Sequence, residues 1–400
     1  MTVTAAQIKI PAAEFRTRAD ALQAYLRESG LHGVVLFDAD YLKYYSGFAF
    51  IPTERPMAFV MNADGERGLF VPRLEAEHAK ANAAVDRVDY YLEYPGGVHP
   101  MGVLADMLKA MGISERMGVD TDGYPWIFGY RGAPISEVSG VAAVQVRAFI
   151  EDQMMIKSPA EIALLKESCK WANLAHRLLQ RYTRPGVTET EVERRAGNEA
   201  TDAMLDALGP IYRGQSPYYG GAVAGYRGQI GRNAAIPHAL AANITFQAGD
   251  VLVTGASAPV WGYVSELERT MVLGEPTPDQ RMLFDHMLNL QDIALNAIKP
   301  GIPCSDVDKA VRRYFETNDL MPLWKHHTGH AIGLRYHEAP FLDTGDDTII
   351  RPGMVFTVEP GVYQAGIGGF RHSDTVLVTE SGIEMLTFYP RDLENLILPV

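Results

Sequence analysis

Glu266 and Glu268 stand two residues apart in GDVLVTGASAPVWGYVSELERT, residues 249–270. On a strand that spacing puts both carboxylates on one face, with Ser265, Leu267 and Arg269 on the other. Paired acids on a sheet face can hold a metal ion, relay a proton or receive a cationic ligand; the dull alternative is a solvated strand face. Two further residues favour chemistry. His330 is framed by glycines in TGHAIG, which allows close backbone approach, and Glu359 follows the apolar run MVFTV into PGVY. A buried acid needs a partner, a proton or a cation. Glu266, His330 and Glu359 come from three separate segments, so only a fold can bring them together.

The elements that must do so are legible as patterns. Residues 249–270 read as two short strands around a turn, apolar Val251 to Val253 and then alternation from Tyr263. Helical stretches over 161–182 and 188–208 precede it, followed by a Gly/Tyr-rich segment. Two more, 277–298 and 305–318, come before HHTGHAIGLRYHEAP, and the strands MVFTVEPGVY and FRHSDTVLVT follow. A helix pair followed by strands thus occurs twice, a hint of two similar halves around one site. Upstream, a helix over 13–29, the buried strand GVVLFD, the strands AFVMN and GLFVP, and helices over 76–84 and 101–111 make a small α/β domain. Ser158-Pro159 starts a long helix and marks the boundary, giving an N-terminal domain of 1–154 and a second domain of 155–400. The fold class is α/β.

Lysine plus arginine number 36 against 49 acidic residues, a net charge of −13 that argues against nucleic acid as a partner. Two cysteines, Cys169 and Cys304, give no disulfide framework and suit a reducing cytoplasm. The first residues lack a basic stretch leading into an apolar run, so no secretory signal is expected. No uncharged apolar segment is long enough to span a bilayer.

IKSPAEIALL, the AIPHA stretch around His238, the GDVLV…GYVSELERT hairpin, HHTGHAIGLRYHEAP, RPGMVFTVEPGVY and GGFRHSDTVLVTESGIEMLT together resemble the creatinase/methionine aminopeptidase/prolidase family of "pita-bread" hydrolases. They cover most of residues 155–390 in the family's order, and YYSGF followed by TERP resembles its two-domain members. The resemblance implies a pseudo-twofold pita-bread catalytic domain, a smaller α/β N-terminal domain and a homodimer.

Metal-dependent members hold two ions with Asp, Asp, His, Glu and Glu. The resemblance places Gly255 at the first of these positions, then Glu266, His330, Glu359 and finally Ser373. Shifting the hairpin by one brings Thr254 to the first place and restores no carboxylate. Strand alternation points His372 and Asp374, which flank Ser373, to the opposite face unless a bulge intervenes. The two-metal centre is therefore expected to be broken, and the expected cofactor is none. One Zn²⁺ or Mn²⁺ on Glu266, His330 and Glu359 is the alternative.

The metal-free expectation follows the resemblance to creatinase. Glu268 matches its substrate-binding glutamate and His238 its catalytic histidine. Arg55 matches the arginine that reaches a substrate carboxylate from the partner subunit's N-terminal domain. Three crowded glutamates without a dication repel and call for a positive ligand, while Arg55, Arg335 or Arg371 would clamp a carboxylate. The expected reaction is hydrolysis of a C–N bond in a small zwitterion such as creatine or the cyclic amidine ectoine, whose hydrolases belong to the same family. His238 would serve as acid or base, Glu268 and Glu359 would hold the cation, and Glu266 is the candidate nucleophile. His330 and His337 would line the pocket and pass protons. Tyr218, Tyr219 and Tyr226 are candidates to stack on the ligand. Two alternatives stand beside this: a Xaa-Pro peptidase with one residual ion, and an inactive binding homologue.

Overall fold

The computed structural model describes residues 8–209, 215–216 and 220–400. Tyr218 and Tyr219 lie outside the described residues. The chain separates into two compact units, Ile10–Met154 and Met155–Val400, the second joined by residues 8 and 9. No described helix is long and apolar enough to cross a membrane.

The first unit is built on a six-stranded mixed sheet: β1 (Gly33–Leu36), β2 (Ala58–Asn62), β3 (Arg67–Pro72), β4 (Arg87–Tyr91), β5 (Arg116–Val119) and β6 (Ala142–Gln145), in the order β4-β3-β2-β1-β5-β6. The central strands GVVL and AFVMN are buried throughout because both sheet faces are covered. Val35, Val60, Phe70, Leu104 and Leu108 are fully buried in this core, each contributing about 2 kcal/mol by removal from water.

The second unit starts twice in the same way. Helices Pro159–Tyr182 and Pro278–Ala297 both open with proline in the first turn and a capping box, Ser158 with Glu161 and Thr277 with Gln280. A second helix follows each, Glu189–Leu208 and Cys304–Thr317. The first pair leads to β7 (Val223–Gly225), β8 (Val251–Val253), β9 (Gly255–Ser257) and β10 (Thr270–Leu273). The second leads to β11 (Gly329–Ala331), β12 (Glu338–Leu342), β13 (Val355–Val358), β14 (Gly361–Gln364), β15 (Gly368–Arg371), β16 (Asp374–Val378), β17 (Ile383–Met385) and β18 (Ile397–Leu398). Of these, β12-β11-β13-β16-β17 form one sheet.

Three expected strands are interrupted, each at a site residue. The second arm of the 249–270 hairpin is not a continuous strand: Leu267 pairs with Ala256, while Glu268 pairs with Ser373 in the other half. Backbone bonds of 3.0 Å (Glu268 N to Ser373 O) and 3.1 Å (Ser373 N to Glu268 O) make that stitch. For the same reason FRHSDTVLVT divides into β15 and β16 around His372 and Ser373. MVFTVEPGVY divides into β13 and β14 at Glu359-Pro360, where the Glu359 N–H turns to Thr328 O at 2.8 Å and proline has none to offer.

Behind this stitch lies a fully buried anchor. Arg269 donates to Asp374 Oδ1 at 2.8 Å and to the carbonyls of Glu268 (2.7 Å), Pro390 (2.8 Å) and Tyr389 (2.9 Å). It therefore holds the backs of the two segments whose fronts carry Glu266, Glu268 and Ser373.

Candidate active site

Glu266, His330 and Glu359 converge: one ligand atom from each lies within 4.8 Å of the others. Each is held by its own segment of chain, His330 on β11, Glu359 directly after β13 and Glu266 ahead of β10. The Glu266 backbone exchanges bonds of 3.0 and 2.8 Å with Thr375 Oγ1, and Ser373 Oγ donates to Glu266 Oε1 at 2.8 Å. His330 N donates to Thr357 Oγ1 at 3.1 Å, and that hydroxyl lies 3.2 Å from Glu359 Oε1. His330 Nδ1 donates to Ala331 O at 3.1 Å, which turns Nε2 toward the carboxylates.

His330 Nε2 sits 3.0 Å from Glu359 Oε1, an ion-pair distance, yet it makes no aligned hydrogen bond although it is buried. A buried imidazole nitrogen without a hydrogen bond, beside two carboxylate oxygens, is a donor set suited to a divalent ion such as Zn²⁺ or Mn²⁺. The residues present fit the ion.

The titration behaviour of these groups agrees. Burial, then Glu359 and Glu268, push the Glu266 carboxyl up to about 8. Burial alone would lower His330, but the Glu359 and Glu266 carboxylates outweigh it and raise the imidazole to about 9. Burial likewise opposes ionisation of Glu359, and His330 and Arg371 overcome it to hold the carboxyl well below its usual range. The site favours positive charge where an ion would sit.

Glu268 answers to a different cation. Arg371, itself buried, forks onto it: Nε donates to Oε2, and Nη2 donates to Oε1 at 2.8 Å. Arg371 Nη1 also donates to Tyr363 Oη at 3.1 Å and to Pro237 O at 3.3 Å, and Nη2 to Gln229 Oε1 at 3.3 Å. The half-exposed Arg227 reaches Glu268 Oε1 at 2.9 Å. Both oxygens of Glu268 are therefore taken by arginine.

Gly255 faces the same space, since a Cβ built on it would meet Glu268 Oε1 at 3.5 Å. Thr254 points the other way, to His176 Nε2 at 2.7 Å. His372 packs against Phe284, and Asp374 against Arg269, on the far side of Ser373.

His337 stacks on His330 with ring centroids 3.8 Å apart. It is exposed, as is His238; partial burial, then the neighbouring His330, lowers the His337 imidazole below its ordinary value. Arg335 is half-buried at the same turn and donates its N–H to Glu338 Oε1 at 3.1 Å. Tyr226 is not brought to the site: it is fully buried, bonded to Thr183 Oγ1 and packed on Phe246. Arg55 belongs to the first unit, where it pairs with Glu54 and Glu93. Sequence reasoning missed Thr357, Tyr363 and His326, whose Nε2 lies 2.8 Å from Tyr363 Oη. Only Thr357 left a trace, standing two residues before Glu359 and so on its strand face.

Residues 163–380 match metallopeptidase family M24, and residues 18–151 match the creatinase/prolidase N-terminal domain. The chain is 28% identical over 376 residues to the probable dipeptidase PepE of Mycobacterium tuberculosis, covering 93% of this chain and 94% of that one. It is 27% identical over 382 residues to the Xaa-Pro dipeptidase of Pyrococcus furiosus, covering 94% and 99%. The solved structure of a Xaa-Pro dipeptidase from Bacillus anthracis superposes with a TM-score of 0.79 at 25% identity, covering 96% of this chain and all 100% of that one.

Two expectations are corrected by these findings. Metal-free cleavage of a creatine- or ectoine-like zwitterion is overturned, because the relatives are named dipeptidases and Xaa-Pro dipeptidases. Physically, the positive charge that Glu268 was expected to take from a substrate is supplied by Arg371. The expected absence of a metal is overturned as well, since the matching family is one of metallopeptidases and Glu266, His330 and Glu359 are gathered as a ligand set. With the family match spanning residues 163–380 and the fold shared along the chain, this protein is a hydrolase of C–N bonds that belongs to metallopeptidase family M24.

Proposed function

We propose that the chain is a metal-dependent peptidase of the Xaa-Pro dipeptidase type, acting on small peptides. The observation that carries this is the convergence of Glu266, His330 and Glu359 within 4.8 Å, in a chain whose relatives bear that name. The ion, when bound, supplies Lewis-acid polarisation of a carbonyl and a more acidic water. Ser373 and Thr357 orient the Glu266 and Glu359 carboxylates, and the Nδ1 bond to Ala331 orients His330. His337 and His238, on the exposed side, hold and pass the proton that the leaving nitrogen requires; imidazole as a class titrates in the range that suits this. Arg335 is assigned to the peptide's terminal carboxylate, which a guanidinium binds through two parallel bonds.

Three further points belong to the same reading. The catalytic domain is taken as 155–400 and the N-terminal domain as 1–154. The enzyme works as a homodimer in which Arg55 of the partner subunit reaches the substrate. Its location is the cytoplasm, in keeping with two buried free cysteines, Cys169 and Cys304.

The experiment is hydrolysis of Ala-Pro, Met-Pro and a non-proline dipeptide by protein stripped with chelator and reloaded with Mn²⁺, Zn²⁺ or Co²⁺. Xaa-Pro cleavage is expected to vanish on stripping and to return on reloading. Absence of Xaa-Pro cleavage with every ion sinks the proposal.

A further inference from the structure

Glu359 presents its two oxygens to different cations. Oε1 faces His330 Nε2 at 3.0 Å, and Oε2 faces Arg371 Nε at 3.8 Å. A second ion on the Arg371 side would need oxygen ligands there. Glu268 is the nearest carboxylate, and both its oxygens are already engaged by Arg371. Gly255 has no side chain, and the Ser373 hydroxyl is donating to Glu266.

Charge decides the matter independently. The cluster holds three carboxylates, those of Glu266, Glu268 and Glu359, and one buried guanidinium, that of Arg371, with the half-exposed Arg227 at its rim. One dication beside a neutral His330 balances them. A second would bring two further positive charges with no carboxylate left to meet them.

Building on the reading that Glu266, His330 and Glu359 hold a divalent ion, we infer that this centre takes one ion, not two, and that Arg371, clamped by Glu268, stands in the place of the second. Arg371 is thus a positioning residue, a fixed internal cation that keeps Glu359 available to the ion.

Equilibrium dialysis of stripped protein against Mn²⁺, with elemental analysis and electron paramagnetic resonance, tests this. One Mn²⁺ per chain with an uncoupled six-line spectrum is expected. Two per chain, or a spin-coupled pair, overturns the inference and leaves the peptidase reading standing. Bound ion at one per chain without Xaa-Pro cleavage sinks that reading and leaves the inference standing, while no bound ion at all sinks both.

Arg371→Met, which removes the internal cation, is expected to raise the count toward two, and Arg371→Lys to keep it at one. A folded Arg371→Met protein that still binds one ion overturns the role given to the arginine. Should that variant fail to fold, Glu268→Gln gives the answer: with one anion fewer, the Mn²⁺ dissociation constant should rise at least tenfold at an unchanged count. An unaltered constant overturns the clamp.

Discussion

The Arg269 guanidinium lies 2.8 Å from Asp374 Oδ1 with neither side chain exposed, directly behind the segments that carry Glu266 and Ser373. Asp374 also accepts from Gln291 at 3.0 Å and from Thr387 at 2.6 Å, so every charge in this anchor has partners. Removing one member strands the other. Arg269→Met should lose about 3–5 kcal/mol in denaturant unfolding. Arg269→Met combined with Asp374→Leu should recover part of that loss. A single variant as stable as the parent would show that the pair does not anchor the site.

Ser373 bonds Glu266, the carboxylate proposed as an ion ligand. Ser373→Ala removes the 2.8 Å bond to Glu266 Oε1 and frees that carboxylate to turn. Metal affinity should fall about 10-fold or more, as when the orienting partners of other metal ligands are lost. Titration calorimetry with Mn²⁺ reads it directly, with far-UV circular dichroism expected to stay unchanged. Full affinity in the variant would count against Glu266 as a ligand.

Ion binding should show in stability and in protons. At 100 times its dissociation constant the ion adds about 2.7 kcal/mol to the folded state, seen as a higher melting temperature than in chelator. Glu359→Gln should abolish that increment. Without the ion, His330 and Glu266 are raised to about 9 and about 8, so both hold protons at neutral pH. Loading must expel them. Affinity should therefore climb between pH 6 and 8, and calorimetry in buffers of different ionisation enthalpy should register proton release. Affinity that is flat with pH would mean that these groups are not the ligands.

Two other histidines set the acid limit. His176 is fully buried against Thr254, and burial, with help from Arg269, lowers it to about 3. Burial, then Arg269, drops His372 well below its ordinary value. Both are neutral in the fold, while the unfolded chain protonates them near pH 6.5. The unfolded state thus binds more protons below that pH, and stability falls as the medium is acidified. His176 alone should account for about 2 kcal/mol between pH 7 and pH 5. Urea unfolding across that range, with His176→Gln flattening the slope, checks the sign and the size.

The convergence of Glu266, His330 and Glu359 was readable in part because two of them are polar residues in apolar or glycine-framed sequence: Glu359 after MVFTV, His330 inside TGHAIG. The paired helix starts were equally plain, since Ser-Pro-x-Glu and its counterpart Thr-Pro-Asp-Gln are local signals. What escaped was long-range pairing. Arg371 lies 103 residues from Glu268, and only the crossing of Glu268 to Ser373 brings the two side chains together. Counting carboxylates without that guanidinium led to a cationic substrate, while the expectation of no metal came from Gly255 and Ser373 standing where the family has acids. Tyr226 escaped for another reason: spacing in a glycine-rich segment does not say whether an aromatic ring faces a pocket or the core.

An acid cluster with its own built-in counterion has a bearing on how the enzyme comes into being. Because Glu268 is satisfied by Arg371 from the moment the strands meet, a newly made chain has no need to wait for its cofactor before reaching the native state. The chelator-stripped protein should accordingly keep Glu268 and Arg371 paired in the folded chain.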